Sequence, residues 1–384
     1  MDDIIVTCIG LLEQHGVSYI AYPDYYKRMQ NALYDIICDE VDDASDIDSA
    51  IEIAICTYVG GVIPERSETR IIGVNAANVD VAMSLVLSQQ GDQRSDEWFA
   101  ERQNMITASN AWKVMGTTSS RNSLVWEKIG TAKTGKSGTG NIESATHWGE
   151  RYEQVAVQLY ERDTGCDVEM VGCIKHPLYS FIGASPDGIV PKLGRGLEIK
   201  CVVSREITGI PTHPYWVQMQ WQAEVMGLDE IDFLECKFEE YDSEESFLSD
   251  GTFHTTEDGK AKGMMQHFHS NDGTYYVYAP LDLSATNYEQ WCIDTVDNEC
   301  NATWVQTRWW KAVSVSCVTV KRQSEWFAEI LPSVSSLWDD VLYARKNGGD
   351  QYKPAVRNVR KAIPKPTIEV VTIPLYIPSD EEEV

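Results

Sequence analysis

The chain has 384 residues, 43% of them apolar, with 12 Trp and a formal net charge of −27, long enough for one large domain or two modest ones. Its longest apolar run, about Ile51 to Ile63, contains Glu52 and is too short to span a bilayer, and Met1-Asp2-Asp3 lacks the basic start of a signal peptide. A soluble intracellular protein is expected, and the 10 Cys, with no C-x-x-C pair, read as small core residues rather than structural zinc ligands.

Residues 1–90 read as a helical region with an interaction or regulatory role. Ile4, Ile5, Cys8, Leu11 and Leu12 form one helical stripe, and Tyr25, Met29, Leu33, Ile36 and Ile37 form another after Pro23. Further helices are expected at Ile47–Val59 and Val79–Leu87, with the acidic run Asp39–Asp48 as a solvated loop.

A second unit is expected from about Gln93 to residue 347. Ser95-Asp96-Glu97-Trp98 carries a capping Ser and acidic residues suited to a helix start. Ser109–Met115 and His147–Asp163 read as helices, and the Gly/Ser/Thr-rich residues 131–146 as a mobile loop. Strands are expected at Val168–Ile174, Phe181–Ala184 and Gly196–Val203. They precede a helix at Pro214–Met226 and a strand at Glu230–Lys237. Residues 242–275 are polar and acidic and read as a long, partly disordered insertion. A strand at Val313–Val320 and a helix at Gln323–Lys346 close the unit, and residues 348–384 read as a flexible tail.

The net charge argues against nucleic-acid binding until it is located along the chain. Residues 91–210 are close to neutral, so nearly all of the acidic excess lies in the flanking segments. The cations of that middle segment cluster at Arg121, Lys128, Lys133 and Lys136, then at Lys192, Arg195, Lys200 and Arg205. Such a basic track on an acidic protein is compatible with DNA contact.

The middle segment also holds the chemistry. In Ser185-Pro186-Asp187-Gly188 an Asp sits in a turn, and Glu198-Ile199-Lys200 follows ten residues later. On a strand, Glu198 and Lys200 share a face while Ile199 points into the core. Asp187, Glu198 and the Ile199 carbonyl offer hard oxygen ligands to Mg²⁺ or Mn²⁺, and Lys200 lies beside the reacting phosphate. That combination suits phosphodiester hydrolysis, which needs an activated water and positive charge on the developing phosphorane. Glu153, in Trp148-Gly149-Glu150-Arg151-Tyr152-Glu153, could point toward the same place from a helix. Arg102 and Ser109, near a helix start, make a plausible phosphate pocket that the Ser185 hydroxyl could also reach. In Gln218-Met219-Gln220-Trp221-Gln222, the first and last Gln are four apart on one helical face, and Gln220 projects elsewhere.

The ordered motifs R-x-x-x-I-T-A-S, W-G-x-x-Y-E, S-P-D-G, L-E-I-K-C and Q-x-Q resemble the lambda-exonuclease-type, YqaJ-like family of phage and viral recombination nucleases, part of the PD-(D/E)xK superfamily. The likeness covers about residues 93 to 237 and the closing Trp326–Trp338 region. It implies an α/β fold with a restriction-endonuclease-like core, a central mixed sheet flanked by helices. By motif matching, Asp187 and Glu198 become metal ligands, Glu153 the supporting acidic residue and Lys200 the catalytic lysine. Gln220 becomes the helix glutamine near the reacting phosphate, and Arg102, Ser109 and Ser185 become the site for a 5′-terminal phosphate. The implied activity is Mg²⁺-dependent 5′→3′ digestion of one strand of duplex DNA, probably too general a description only for an endonuclease acting on DNA or RNA, which keeps the same metal site. The implied partners are DNA ends, a single-strand annealing protein and further copies of the chain, with no membrane. For a viral protein the place of action would be the host cytoplasm or nucleus.

One competing motif is Gly130-Thr131-Ala132-Lys133-Thr134-Gly135-Lys136-Ser137, which fits the phosphate-binding loop G-x-x-x-x-G-K-[ST]. That loop needs a buried strand before it and a helix beginning at the Lys. Here the preceding residues Asn122–Ile129 read as helical or mixed, and Gly138-Thr139-Gly140 would break a following helix. The match is read as chance, and Lys133, Lys136 and Arg121 are left as candidate DNA-backbone contacts.

Overall fold

The computed structural model describes residues 2–15, 25–37, 47–62, 66–88, 91, 93, 95–130, 142, 144–271 and 273–354. The acidic loop after Asp39, the segment 131–141 with Lys133 and Lys136, and the tail beyond residue 354 lie outside them. In chain order the helices α1 (Asp2–His15), α2 (Tyr25–Ile37) and α3 (Ile47–Val62) come first, followed by β1 (Glu68–Thr69), α4 (Val79–Leu87) and α5 (Asp96–Gln103). Next are β2 (Ile106–Thr107), α6 (Ala108–Ala111), α7 (Thr118–Ile129) and α8 (Ala145–Thr164). The strands β3 (Ile174–Lys175), β4 (Ile182–Ala184), β5 (Gly188–Val190) and β6 (Arg195–Val202) lead to α9 (His213–Met226). The remainder is β7 (Glu230–Glu240), α10 (Glu244–Ser249), β8 (Lys262–Ser270), β9 (Gly273–Tyr278), α11 (Tyr288–Asn298), β10 (Thr303–Lys321) and α12 (Ser324–Asn347).

The main sheet runs in the order β5-β6-β7-β10-β8-β9, with β1 also paired to β10. Only β6 and β7 are parallel within it, because α9 carries the chain back between them. The other pairs are antiparallel, so this is a mixed sheet flanked by helices, the PD-(D/E)xK core. Side chains alternate across it with the period of two that strand geometry imposes. Ile231 and Phe233 of β7 join α9 and α12 in one core layer, while Leu234, Cys236 and Phe238 join α8 in the other. Helix α8 presents Tyr152, Val155, Ala156, Leu159 and Tyr160 to that second layer, a stripe at helical spacing.

Helices α1–α3 pack on one another around Cys8, Leu12, Met29, Leu33, Ile37 and Ile51, as their periodicity predicts. The division expected near residue 90 falls earlier. From Arg66 onward the chain is built into the sheet: β1 pairs with β10, and Ala82 of α4 is buried in the α9 layer. Arg195, 1% exposed, donates to the carbonyls of Ile71 (2.6 Å) and Gly73 (2.8 Å). At the other end the compact unit runs through Lys353, past the expected boundary at residue 347.

The supposed insertion at 242–275 is also ordered. It supplies α10, all of β8 and the start of β9, with Met264, Met265 and Phe268 buried. Its polar composition concealed this because Gln266, His267 and Lys262 are buried too. Lys262 is held by the carbonyls of Phe247 and Asp250. Among the described residues no helix is long and apolar enough to cross a membrane.

A chain beginning at Arg66 is expected to fold, whereas one beginning at Gln93 strips Arg195 of two buried acceptors. Each lost partner costs about 1–3 kcal/mol, so the shorter chain should show a markedly lower urea midpoint or no cooperative transition. Equal midpoints would contradict this boundary.

Candidate active site

Asp187 follows β4 and opens β5, in a turn whose next residue must be small: a Cβ on Gly188 would come within 2.3 Å of Val168 Cγ1. One Asp187 oxygen accepts the Ile199 N–H at 2.7 Å, which locks the turn to β6. Gln93 Nε2 donates to the Pro186 carbonyl (3.1 Å) and to that of Val171 (2.6 Å), fixing the turn from the other side.

Glu198 and Lys200 project from one face of β6, and Ile199 is buried in the α8 layer, as strand geometry predicts. Glu198 has no exposed surface. Its Oε1 pairs with Lys200 Nζ and accepts from Gln218 Nε2 (2.6 Å), and its Oε2 accepts from Gln222 Nε2 (2.6 Å). The Lys200 ammonium also lies 5.1 Å from the centre of the Tyr215 ring.

The charges are strongly coupled. Burial, then Glu198 and Glu153, push the Asp187 carboxyl well above the ordinary range, with Lys200 opposing. For Lys200, burial works against the ammonium, but Glu198 and Asp187 outweigh it and the pKa ends above its usual value. Among the described residues no group of three or more His, Cys, Asp or Glu is gathered closely enough to form a ready metal cage. The carboxylate oxygens of Glu198 are instead turned to Lys200 and the two Gln amides. The donor chemistry still fits a hard divalent cation, because Glu153, Asp187 and Ile199 line one cavity with oxygen groups, and added positive charge relieves the crowding that raises Asp187.

The second group of predicted residues lines the same cavity, whose volume is about 720 Å³. Helix α5 starts at Ser95, whose side chain caps the Trp98 N–H at 3.1 Å. Arg102, in its last turn, donates to Ser185 Oγ (3.2 Å) and Ser109 Oγ (3.3 Å). The Trp98 indole N–H also donates to Ser185 Oγ (3.1 Å), and the Arg102 guanidinium lies 4.2 Å from the Trp98 ring centre. Arg102, Ser109 and Ser185 therefore converge in a hydroxyl- and guanidinium-lined site on the same cavity as Glu153, Asp187 and Lys200.

Three expectations are corrected or refined. Gln220 is not at the site: its Nε2 donates to the Lys321 carbonyl (2.8 Å) and its Oε1 accepts the Gln323 N–H (2.7 Å), tying α9 to the β10–α12 junction. The helical period puts residues 218 and 222 on the Glu198 side and 220 elsewhere, so spacing located the site glutamines where motif matching did not. Arg121 is held by Asp340 (3.0 Å) and the Ser333 carbonyl (3.2 Å), which spends its charge within the fold. Lys133 and Lys136 fall outside the described residues, but the element before Gly130 is helix α7, not the strand a phosphate-binding loop requires. Trp98, Tyr215 and Gln93 were missed, and no charge or spacing signal marks them.

Residues 97–229 match the model of the YqaJ-like viral recombinase domain, and the domain they form belongs to that family. The chain is 30% identical over 315 residues to an uncharacterized protein of Acanthamoeba polyphaga mimivirus, an alignment covering 71% of this chain and 56% of that relative. The chain thus spans little more than half the relative's length. Among solved structures, an alkaline exonuclease from Laribacter hongkongensis is 23% identical with a TM-score of 0.39, covering 66% of this chain and 95% of that one. The same exonuclease in complex with dAMP gives a TM-score of 0.40 at 23% identity, covering 66% and 95%. A phage-related exonuclease from Haemophilus somnus is 16% identical with a TM-score of 0.32, covering 63% and 94%.

Gln220→Ala is expected to cost about 1–3 kcal/mol of stability, because it leaves two buried backbone groups without partners. Gln218→Ala, at a half-buried position, should cost less. Urea denaturation of both variants checks the order, and a larger loss for Gln218→Ala would contradict the assignment.

Proposed function

We propose that the protein is a divalent-metal-dependent deoxyribonuclease that digests one strand of duplex DNA from its 5′ end, releasing mononucleotides and leaving 3′ single-strand overhangs. The observation that carries this reading is the single cavity containing both the Asp187–Glu198–Lys200 group and the Arg102–Ser109–Ser185 group. A phosphate held by the second group places the next phosphodiester toward the first. The match to a viral recombinase domain agrees with a role in recombination by strand annealing.

Asp187, Glu198, the Ile199 carbonyl and Glu153 would hold Mg²⁺ or Mn²⁺, which when bound supplies acidity to a water and positive charge to a phosphate oxygen. For Glu198 to serve, Lys200 and Gln218 must give up part of their hold on Oε1. Lys200 is then released to face the charge that builds on the phosphate. Water adds to phosphorus, the P–O3′ bond breaks, and the released nucleotide carries a 3′-hydroxyl. The strand left behind keeps a 5′-phosphate, which the Arg102 group can bind for the next cycle. Helices α1–α3, in an acidic segment with no catalytic constellation, are assigned to protein contacts, with a single-strand annealing protein or another copy of this chain as the partner.

Asp187→Ala, Glu198→Ala and Lys200→Ala should each abolish Mg²⁺-dependent cleavage, and Ca²⁺ should not support turnover. A charge-assisted hydrogen bond to phosphate is worth about 1.5–3 kcal/mol. Arg102→Ala should therefore slow digestion of 5′-phosphorylated duplex roughly 10- to 150-fold and have much less effect on 5′-hydroxyl ends. End-labelled duplexes measure both. Equal slowing of the two ends, or near-normal cleavage by Asp187→Ala, would overturn the reading.

A further inference from the structure

Two cavities share the wall formed by Trp98, Arg102 and Ser109. The larger is the candidate active site. The smaller, about 300 Å³, is lined by none of Glu153, Asp187 and Lys200 and extends instead to Phe99, Thr107, Asn110, Glu127 and Lys128. Its size is at the lower end for small-ligand sites, roughly 300–1,000 Å³.

The smaller cavity is chemically equipped. Thr107 has no exposed surface and its Oγ1 has no hydrogen-bond partner, a state that buried hydroxyls ordinarily avoid. Lys128 is 3% exposed, and its Nζ donates to the Arg102 carbonyl at 2.8 Å. Burial lowers its pKa to about 8, with Glu127 opposing and Arg102, Lys113 and Arg345 adding to the fall. Asn110 Nδ2 donates to Glu127 Oε1 (3.0 Å), and Trp98 and Phe99, packed edge to face, give an aromatic surface on which a base can stack. The mechanism above uses none of Thr107, Asn110, Glu127 or Lys128.

A strand ending in a 5′-hydroxyl offers no terminal phosphate to Arg102, but its first internucleotide phosphate can occupy the same place. The nucleoside on the 5′ side of that phosphate then needs room away from the metal-binding carboxylates. We propose that the small cavity receives this nucleoside, so that a 5′-hydroxyl end is opened by release of a dinucleotide. The proposal rests on the nuclease reading of the larger cavity. Its base lies against Trp98 and Phe99, and its sugar hydroxyl meets Thr107 and Lys128. Water adds to the phosphorus between the second and third nucleotides, and the P–O3′ bond breaks. The dinucleotide takes up a proton as its 3′-hydroxyl, and the remaining strand keeps the phosphate as a new 5′ end. Later cycles then start from a terminal phosphate and release mononucleotides.

The test is mass spectrometry of the earliest products from two duplexes of one sequence, one 5′-hydroxylated and one 5′-phosphorylated, digested by the full chain with Mg²⁺. The first product from the hydroxyl end should be a dinucleotide lacking a 5′-phosphate, while the phosphorylated end yields mononucleotides from the start. Asn110→Trp, which fills the small cavity, should lower the dinucleotide share from hydroxyl ends roughly tenfold. Should that variant fail to fold, the wild-type products alone decide. A free nucleoside as first product, scattered cuts, or no attack on hydroxyl ends would overturn the inference while mononucleotide release from phosphorylated ends leaves the nuclease reading standing. An unchanged dinucleotide share in folded Asn110→Trp would also overturn it. If neither duplex is digested, both readings fall.

Discussion

Glu198 is cut off from water, and an ionised carboxylate in that position costs several kcal/mol unless charge and hydrogen bonds offset it. Lys200 offers the charge, and Gln218 and Gln222 offer the amides. Meeting that requirement dictates much of the architecture. Helix α9 must cross the sheet with residues 218 and 222 facing β6, which the parallel β6–α9–β7 crossover achieves. Gln220, out of phase with that face, is free to secure α9 to the β10–α12 junction. One helix thus carries both the support of a reactive carboxylate and a structural tie on its other side.

The relation between the two halves of the cavity comes from backbone rather than from long side chains. Ser185 and Asp187 are two residues apart in one turn, the first bonded to Arg102 and Trp98, the second to the Ile199 N–H. Gln93 and the crowding around Gly188 leave that turn little freedom. A phosphate anchor and a hydrolytic centre joined this way keep a constant separation. That constancy suits a stepwise reaction, because positioning to a fraction of an ångström governs how much of the barrier orientation can remove.

Strand alternation and helix period were enough to place Glu198, Lys200 and Ile199, the stripes of α1–α3 and the shared face of Gln218 and Gln222, because each depends on local geometry alone. The convergence of Arg102, Ser109 and Ser185 followed from motif order. What stayed hidden depends on partners distant in sequence. Residues 66–88 read as part of an N-terminal helical region, since nothing local shows that Glu68 and Thr69 pair with Thr319 and Val318 or that Arg195 binds Ile71 and Gly73. Strand β8 looked like a solvated insertion because Gln266 and His267 are polar yet buried. Trp98 reads as an ordinary helix-start aromatic, and only the fold brings it to Ser185 and Arg102.

The central claim is that cleavage begins at a DNA end because an end-binding pocket and the hydrolytic carboxylates share one cavity. Incubating the full chain and Mg²⁺ with one plasmid in two forms, linearised and covalently closed, and following both by gel electrophoresis tests it most directly. The account predicts that the linear form is digested while the closed circle persists intact. Nicking or linearisation of the circle at a rate comparable with loss of the linear form would contradict it.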